Sequence, residues 1–469
     1  MALAFYDTLR REIVPFEPLV PGEVRMYTCG PTVHDFAHIG NLRTFLFEDL
    51  LRRVLVARGY RVTQVMNLTD VDDKIIEKAR ARGESIGEYT ERYARAFFED
   101  LDALRVQRAE RYPRATEHIE AMVELVQRLQ RGGHTYTTED GSVYFRIATF
   151  PDYGKLSRID LSGMQDGARV ESDEYEKEDP KDFALWKAAK EGEASWDTPL
   201  GRGRPGWHIE CSAMSMEYLG ESFDIHTGGV DNIFPHHENE IAQSEAATGR
   251  AFARVWLHAE HLTVEGQKMA KSLGNFLTLR DVLERGYFPR AIRYLLLSTH
   301  YRTQQNFTFE GLEQAAASLA RLTDFARRVG ELPAGEAPGS EVAPRTREAR
   351  RAFDSALDDD LNTSRALAAV FDWVRDTNRA LDEGSAAAAD RAEIEGFLQV
   401  FDAVYDVLRP DPDERALSAE VESLIAEREA ARAARDWARA DTIRDRLAEK
   451  GIVLEDTPHG VRWKRLART

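Results

Sequence analysis

Residues 24–41 read VRMYTCGPTVHDFAHIGN, and this stretch indicates the fold more clearly than any other part of the chain. Residues 24–28 are typical of a buried strand, and residues 42–58 of an amphipathic helix that ends before Gly59. The apolar run 61–68 predicts a second strand, and residues 71–82 predict a second helix. Strand, helix and strand in this order predict an α/β protein with a doubly wound parallel sheet.

The pattern changes after this unit. Asp140-Gly141 between alternating apolar residues predicts a hairpin, whereas residues 153–205 are charged and irregular and are interpreted as an insertion that interrupts the sheet. Sheet-like sequence is expected to resume at Trp207, and Pro235 suits the first turn of a helix reaching Thr248. From residue 312 the periodicity is helical, apart from a linker at 332–344. One long charged helix is predicted over 420–450, followed by a short hairpin.

Composition limits the class of protein. The 469 residues carry a formal charge of −18, which argues against a surface coated with nucleic acid but leaves room for a local basic groove. No apolar run approaches the roughly 20 residues that span a bilayer, and the first residues do not resemble a secretory signal. With only two cysteines in the chain, a disulfide is not expected, and the reducing cytoplasm is the expected compartment. The protein is also expected to be a monomer.

Both cysteines stand in segments that carry other chemical groups. Cys29 ends the first strand, and Cys211 lies in the segment WHIECS (207–212), upstream of PHHENE (235–240). Two thiols, a His and a Glu are able to close a tetrahedral zinc site. The alternative is that both cysteines are buried apolar residues, as free cysteines commonly are.

The segment HIGN (38–41) lies between a strand and a helix, where a doubly wound sheet binds phosphates. The start of the helix offers free N–H groups, and Gly40 lets a nucleotide approach the backbone. His38 is able to donate to a phosphoryl oxygen as charge develops there. Read alone, His38 is equally well an ordinary residue at a helix start.

A second segment, KMAKS (268–272), lies in a loop flanked by Gly266 and Gly274. Its two lysines, Lys268 and Lys271, are able to reach triphosphate oxygens and offset charge on a leaving pyrophosphate. By itself the segment is also compatible with a solvated turn. Both motifs in one chain and in this order are far more specific.

Together these motifs resemble those of the class I aminoacyl-tRNA synthetases, and more narrowly those of the cysteinyl-tRNA synthetase family. The resemblance covers essentially the whole chain. It is carried by the following segments: CGPTV (29–33), NLTDVDDK (67–74), GWHIECS (206–212), FPHHENE (234–240), DWA (436–438) and GIVLED (451–456). The departures are few. Asn41 ends the first motif, His34 replaces a Tyr, Ala270 replaces a Ser in the lysine motif, and Thr227 replaces a Gly, where its side chain could crowd the substrate pocket.

The resemblance implies a Rossmann-like catalytic domain over residues 1–250, interrupted by an insertion at about 113–205. It further implies a lysine-loop and stem-contact region over 251–310, a helical tRNA-binding bundle over 311–408 and an anticodon-recognition module over 409–469. In that module Arg432, Trp437, Asp441 and Asp456 are expected to contact the anticodon, the first three close together on one helix. Arg and Asp read base edges and Trp stacks on an unpaired base. The alternative is a solvated helix with Trp437 in its core.

By resemblance, one zinc ion is held by Cys29, Cys211, His236 and Glu240. His236 and Glu240 are four residues apart on a predicted helix and share a face, whereas His237 and Glu238 are expected to point elsewhere. A substrate thiolate is a soft zinc ligand and a serine hydroxyl is not, so zinc would select cysteine without an editing domain. Thr69, Trp207 and His226 would line the pocket, although for His226 and Trp207 a purely structural role stays open.

The function implied is a cysteine–tRNA ligase that uses ATP, with Mg²⁺, and tRNA(Cys). His38, Lys268 and Lys271 would stabilise the transition state of adenylate formation, with Gly40 and Asn41 helping to bind ATP. Three alternatives to this function stay open. They are a ligase joining cysteine to an amino sugar, which would lack the C-terminal module; a catalytically silent RNA-binding protein; and a zinc hydrolase, which would need a His-Glu-x-x-His motif.

Overall fold

The computed structural model describes residues 2–159, 179, 181–270, 273–332, 340–450, 452–457 and 460–465. The chain begins with a β-ribbon, β1 (Ala4–Asp7) and β2 (Glu12–Pro15), and then forms the predicted unit. That unit is β3 (Glu23–Thr28), α1 (Ile39–Ala57) and β4 (Arg61–Met66), with β3 and β4 parallel. The sequence prediction of this unit is confirmed.

After β4 come α2 (Asp73–Arg82) and α3 (Ile86–Ala103), which contribute Ile75, Tyr93 and Phe97 to the main core. The predicted insertion follows, with helix α4 (Ile119–Arg131) and strands β5 (Thr135–Thr137), β6 (Val143–Phe145), β7 (Phe183–Ala188), β8 (Trp196–Thr198) and β9 (Gly201–Pro205). The strands form an antiparallel sheet in the order β5-β6-β7-β9-β8. The described part of 153–205 is therefore more regular than predicted: Phe183, Leu185 and Trp186 are buried in a core that they share with α4 and with Ile209 and Met214.

The chain then returns to the parallel sheet. Trp207 does not resume the sheet, because residues Trp207–Leu219 form helix α5 with Gly206 at its N-cap. The order continues with β10 (Phe223–Gly229), α6 (Glu238–Thr248) and β11 (Ala253–Ala259), and the parallel sheet has the order β11-β10-β3-β4. The switch in strand order falls between β3 and β10, which is where doubly wound folds bind ligands at the carboxyl ends of the strands.

A small three-stranded sheet follows, made of β12 (Leu262–Val264), β13 (Gln267–Lys268) and, after α7 (Leu279–Glu284) and α8 (Pro289–Ser298), β14 (Gln305–Phe307). Its order is β13-β12-β14, with β12 and β14 parallel. It carries the segment with Lys268 and stands beside the start of α1.

Helices dominate the remaining chain, as predicted. They are α9 (Phe309–Gly330), α10 (Val342–Asp358), α11 (Thr363–Asp382), α12 (Asp390–Tyr405), α13 (Pro412–Ala433) and α14 (Trp437–Glu449), and the strands β15 (Ile452–Thr457) and β16 (Gly460–Arg465) form the terminal hairpin. The single long helix predicted over 420–450 is wrong. It is broken into α13 and α14, because Arg435 adopts a left-handed φ of 59° between them. No described helix is long and apolar enough to cross a membrane.

Candidate metal centre and active site

Four side chains with metal-binding atoms meet at the carboxyl end of the parallel sheet. Cys29 directly follows β3, Cys211 is on α5, His236 lies in the π-helical turn before α6, and Glu240 is on α6. All four are buried, and one donor atom of each lies within 4.8 Å of every other. We call these four residues the metal cluster. Three separate segments contribute to it, as the sequence resemblance implied.

A second set of donors overlaps with the metal cluster. Cys29, His226, His237 and Glu240 also have donor atoms within 4.8 Å of one another. His237 Nε2 lies 3.2 Å from Cys29 Sγ, and the other ring nitrogen contacts His258 Nε2 at 2.8 Å. The expectation that His237 points elsewhere is therefore wrong. It overlooked that residues three apart on a helix share a face, as residues four apart do, and His237 Nε2 lies 4.0 Å from Glu240 Oε1.

Burial of the metal cluster disfavours the charged forms of its side chains. It raises the pKa of the Cys29 and Cys211 thiols and raises the pKa of Glu240 to about 7, because ionised groups lose their water there. It lowers the pKa of His226 and His236 to about 3 for the same reason. The imidazoles are thus neutral donors, and a cation among the thiols and the carboxylate would offset the cost of their negative charge.

The contacts around Glu240 hold the cluster together. Its Oε1 lies 3.0 Å from His236 Nε2 and its Oε2 lies 2.8 Å from His226 Nε2. His226 stacks on Trp256, with ring centroids 4.4 Å apart. Glu238, as expected, faces away and accepts the backbone N–H groups of Gly154 and Ser157.

The predicted pocket residues lie around this cluster in different ways. Trp207 is 38% exposed and its ring stacks on His236 at 4.4 Å. Thr69 is buried, and its hydroxyl donates to Glu210 Oε2 at 2.9 Å. Glu210 was missed by the sequence reasoning, and burial raises the pKa of its carboxyl well above the ordinary value. Of the three predicted pocket residues, Trp207 is exposed, whereas Thr69 and His226 are buried.

His38 is the N-cap of α1, with a capping box. Its Nδ1 accepts the backbone N–H of Asn41 at 3.1 Å, and Asn41 Oδ1 accepts the backbone N–H of His38 at 3.2 Å. Burial lowers the pKa of His38 although the Asp231 carboxylate opposes that shift. Because Nδ1 of the neutral ring is an acceptor, the proton is on Nε2. His38 therefore offers one fixed N–H donor at a helix N-terminus.

The lysine motif approaches the start of α1. Lys268 is exposed in β13, and Met269 packs so closely on Gly40 that a Cβ at that glycine would lie 2.7 Å from Met269 Cε. A Cβ at position 40 would require the Met269 side chain to shift. Asn275 joins the two sides of the loop, accepting from Ala270 N at 2.8 Å and donating to Lys268 O at 3.1 Å. Lys271 lies outside the described residues.

Thr227, the departure flagged in the sequence, does not crowd the pocket. Its hydroxyl donates to Glu48 Oε1 at 2.9 Å, beneath the sheet and inside the packing of β10 against α1. Glu48 is completely buried, and burial raises its pKa to about 8. Thr227 therefore acts on the sheet–helix interface.

The change Glu48→Gln is expected to stabilise the protein at neutral pH. Folded Glu48 keeps its proton up to about pH 8, whereas an unfolded Glu releases it near pH 4.3. Within that window folding takes up a proton, so the free energy of unfolding falls by about 1.4 kcal/mol per pH unit as pH rises. Gln has no such penalty and should be more stable by roughly 3–4 kcal/mol at pH 7. Denaturant unfolding of the parent and the variant from pH 5 to 8 measures the difference in their free energies of unfolding. A difference that does not change with pH would contradict the raised pKa of Glu48.

The prediction that Arg432, Trp437 and Asp441 lie on one helix is wrong. Arg432 lies near the end of α13, Trp437 and Asp441 lie on α14, and Asp456 lies in β15. Trp437 is 59% exposed, so the alternative that it forms a core is wrong. Asp441 pairs with Arg444 at 3.2 Å.

Two further residues were not found from the sequence. Asp231 follows β10 in a 3₁₀ turn and acts electrostatically on His38. His208 Nδ1 lies 2.9 Å from His236 Nδ1, on the side of the ring opposite Glu240. The segment DNIFPHHENE offered several titratable groups to choose from, but only the fold shows which face the site.

Three family models match consecutive parts of the chain. The catalytic domain of class I tRNA synthetases (C) matches residues 15–317, the DALR domain matches 352–409 and the cysteinyl-tRNA ligase anticodon binding domain matches 414–463. Among similar proteins is a cysteine–tRNA ligase from Solibacter usitatus, 56% identical over 99% of this chain and all of the relative. Another, from Koribacter versatilis, is 51% identical over 99% of this chain and all of that relative.

Solved structures resemble the fold at low sequence identity. A Mycobacterium tuberculosis methionyl-tRNA synthetase in complex with methionyl-adenylate aligns with a TM-score of 0.62 and 17% identity, covering 82% of this chain and 90% of that one. An Agrobacterium radiobacter leucyl enzyme in a ternary complex aligns with a TM-score of 0.61 and 12% identity, covering 84% and 85%. These likenesses concern the fold alone.

Proposed function

The chain belongs to the cysteine–tRNA ligase family of class I synthetases, and we propose that the metal cluster and the start of α1 form its cysteine-activating site. The enzyme activates cysteine with ATP, releasing pyrophosphate, and transfers the cysteinyl group to the terminal adenosine of tRNA(Cys). The metal cluster carries this proposal, because it brings four predicted residues from three segments within reach of one ion.

The donor set fits zinc. Two thiols, one imidazole and one carboxylate are a combination that zinc accepts in tetrahedral sites, and the 3.0 Å separation of His236 Nε2 and Glu240 Oε1 places two of them side by side. When bound, zinc would keep both cysteine side chains ionised and favour a soft sulfur donor over a serine hydroxyl. His208, on the opposite ring nitrogen of His236, would orient that imidazole.

Adenylate formation joins the cysteine carboxylate to the α-phosphorus of ATP and releases pyrophosphate. We assign His38 Nε2–H as a donor to the phosphate oxygens, with the free N–H groups at the start of α1 beside it. Lys268 would offset charge on the pyrophosphate, as would Lys271 on the sequence pattern. ATP would enter with Mg²⁺, and Gly40 and Asn41 would line its site.

The side chains around the cluster would hold the amino acid. Trp207, half-exposed over His236, offers a flat apolar wall, while His226 and Thr69 are tied to buried carboxylates and shape the floor. No protein nucleophile is needed, because positioning and charge stabilisation suffice for this chemistry.

The domain assignment made from the sequence is retained as part of the proposal. It comprises a catalytic domain over 1–250 with its insertion at about 113–205, a stem-contact region over 251–310, a tRNA-binding bundle over 311–408 and an anticodon module over 409–469. The enzyme is proposed to act as a monomer in the cytoplasm.

Two assays in sequence test the function. Cysteine-dependent exchange of pyrophosphate into ATP should occur without tRNA, and charging of tRNA(Cys) should follow when tRNA is added. Exchange without charging would contradict the ligase assignment and favour transfer of cysteine to an amino sugar. Absence of exchange with cysteine would contradict the whole proposal.

Replacing Trp437 by Ala is expected to affect only the tRNA step. An exposed Trp that stacks on a base contributes about 1–3 kcal/mol, so KM for tRNA should rise roughly 5- to 150-fold. Pyrophosphate exchange, which needs no tRNA, should be unchanged. Ile13→Ala, which removes an exposed apolar side chain from β2, is the control; equal charging kinetics in both variants would contradict the anticodon role.

A further inference from the structure

Arg43 is buried on α1, five residues after His38, and its guanidinium spans two other segments. Its Nη1 donates to the carbonyl oxygens of Glu260 at 2.6 Å and His261 at 3.0 Å. Its Nη2 donates to the carbonyl oxygens of His300 at 3.2 Å and Thr303 at 2.5 Å. The side chain is only 2% exposed. Four backbone carbonyl groups thus fix the position of one buried guanidinium.

The two segments that Arg43 joins are the connections that lead into strands β12 and β14 of the small sheet. Residues 260–261 link β11 to β12, and residues 300–303 lead from α8 into β14. Strands β12 and β14 are paired, and Thr263 of β12 is the register partner of Lys268 in β13. A displacement of residues 260–261 and 300–303 relative to α1 would therefore displace Lys268.

The same end of α1 also holds the chain beyond the lysine motif. Ile39 N donates to Leu277 O at 2.9 Å, and the His38 ring packs edge-on against Phe276 with centroids 5.1 Å apart. Met269, which lies between residues 260–261 and Leu277 in the sequence, packs on Gly40. The start of α1 thus contacts the chain on both sides of the lysine segment. Arg43 makes the contact on the upstream side, at residues 260–261.

We infer that Arg43 is a positioning residue for adenylate formation, which sets the distance between His38 and the strand that carries Lys268. This inference rests on the proposed function, in which both residues act on the phosphates of ATP. A shift of about 1 Å in such an arrangement is able to lower the rate about 100-fold. Arginine is required because its planar fork reaches two segments at once, whereas lysine is a single point charge with three donors.

The variant Arg43→Lys tests this role. It keeps the charge but cannot serve all four carbonyl groups. We expect kcat for cysteine-dependent pyrophosphate exchange to fall about 10- to 100-fold, with the KM for cysteine and the zinc content unchanged. The split between kcat and KM separates positioning from general loss of folded protein, which would lower the active fraction and the zinc content together.

Arg53→Lys is the matched control. Arg53 is also buried on α1 and donates to the backbone carbonyl groups of Ala403 and Arg105, but these lie outside the small sheet. It should keep the kcat of the parent per folded molecule. Equal kcat values in Arg43→Lys and the parent, or an equal fall in both variants, would overturn the inference.

A second variant serves if Arg43→Lys does not fold. Glu260 is only partly buried and attracts Arg43 electrostatically, so Glu260→Gln should lower kcat a few-fold and leave the KM for cysteine unchanged. An unaltered kcat in that variant would count against Arg43. A parent enzyme without cysteine-dependent exchange would instead contradict the proposed function itself, so the two failures are distinguishable.

Discussion

Replacing Cys211 by Ser is expected to remove zinc from the protein and to lower cysteine-dependent pyrophosphate exchange by roughly 100-fold or more. The side chain is buried in the metal cluster, with donors of Cys29, His236 and Glu240 within 4.8 Å. Serine has nearly the same shape, so packing is preserved. Its hydroxyl is a hard ligand with a high pKa and does not replace a thiolate on zinc.

Metal analysis of the purified variant and pyrophosphate exchange measure the two effects separately. Ser215→Ala is the control, because Ser215 is buried one turn further along α5 and its hydroxyl donates within that helix, to Ser212 O. The control should keep one zinc per chain and the exchange rate of the parent. A Cys211→Ser protein that holds zinc and exchanges normally would refute the metal assignment.

Replacing His38 by Asn is expected to lower kcat for exchange by about 100- to 1,000-fold, the usual effect of removing one donor to a developing oxyanion. The structure makes this substitution informative, because His38 has two roles. Its Nδ1 caps α1 by accepting from Asn41 N, and its Nε2 side carries the proton. Asn is among the best N-cap residues, so it replaces the first role and removes the second.

Thermal unfolding should therefore show little change while catalysis falls. His134→Asn, the same chemical change directly before β5 of the insertion, should alter neither kcat nor stability strongly, since His134 lies outside the proposed site and contacts Thr149. A His38→Asn enzyme with the activity of the parent would show that the histidine is only a helix cap. Loss of stability matching the loss of activity would point to the same conclusion.

The parallel unit was predictable from the sequence because its information is local. In residues 24–66, apolar runs alternate with turn residues, and the spacing of the apolar residues suffices to predict β3, α1 and β4. The capping box of Ser85 and Glu88 was predictable for the same reason and is present at the start of α3. Where tertiary context overrides local pattern, prediction failed. Trp207 begins a helix rather than a strand, and Arg435 breaks a helix that the periodicity alone would continue.

The site shows the same division. His236 and Glu240 are close in sequence, and their proximity followed from spacing alone. His237 was misjudged because a residue three positions before Glu240 shares its helix face as well as one four positions before it. Asp231 and His208 carried no pattern that would single them out. Thr227 was noticed as a departure, but only the packing of β10 on α1 shows that it meets Glu48.

The opening stretch, residues 24–41, thus determined the fold class, the phosphate-binding end of α1 and the identity of Cys29 as a candidate ligand. These depend on local periodicity and on which residue types appear. Which donors meet Cys29 depends on contacts between residues about 180 to 210 positions apart, brought together when β10, α5 and α6 pack around β3. The attachment of Lys268 to the start of α1 through Arg43 has the same long-range origin, so the tertiary structure alone decided it.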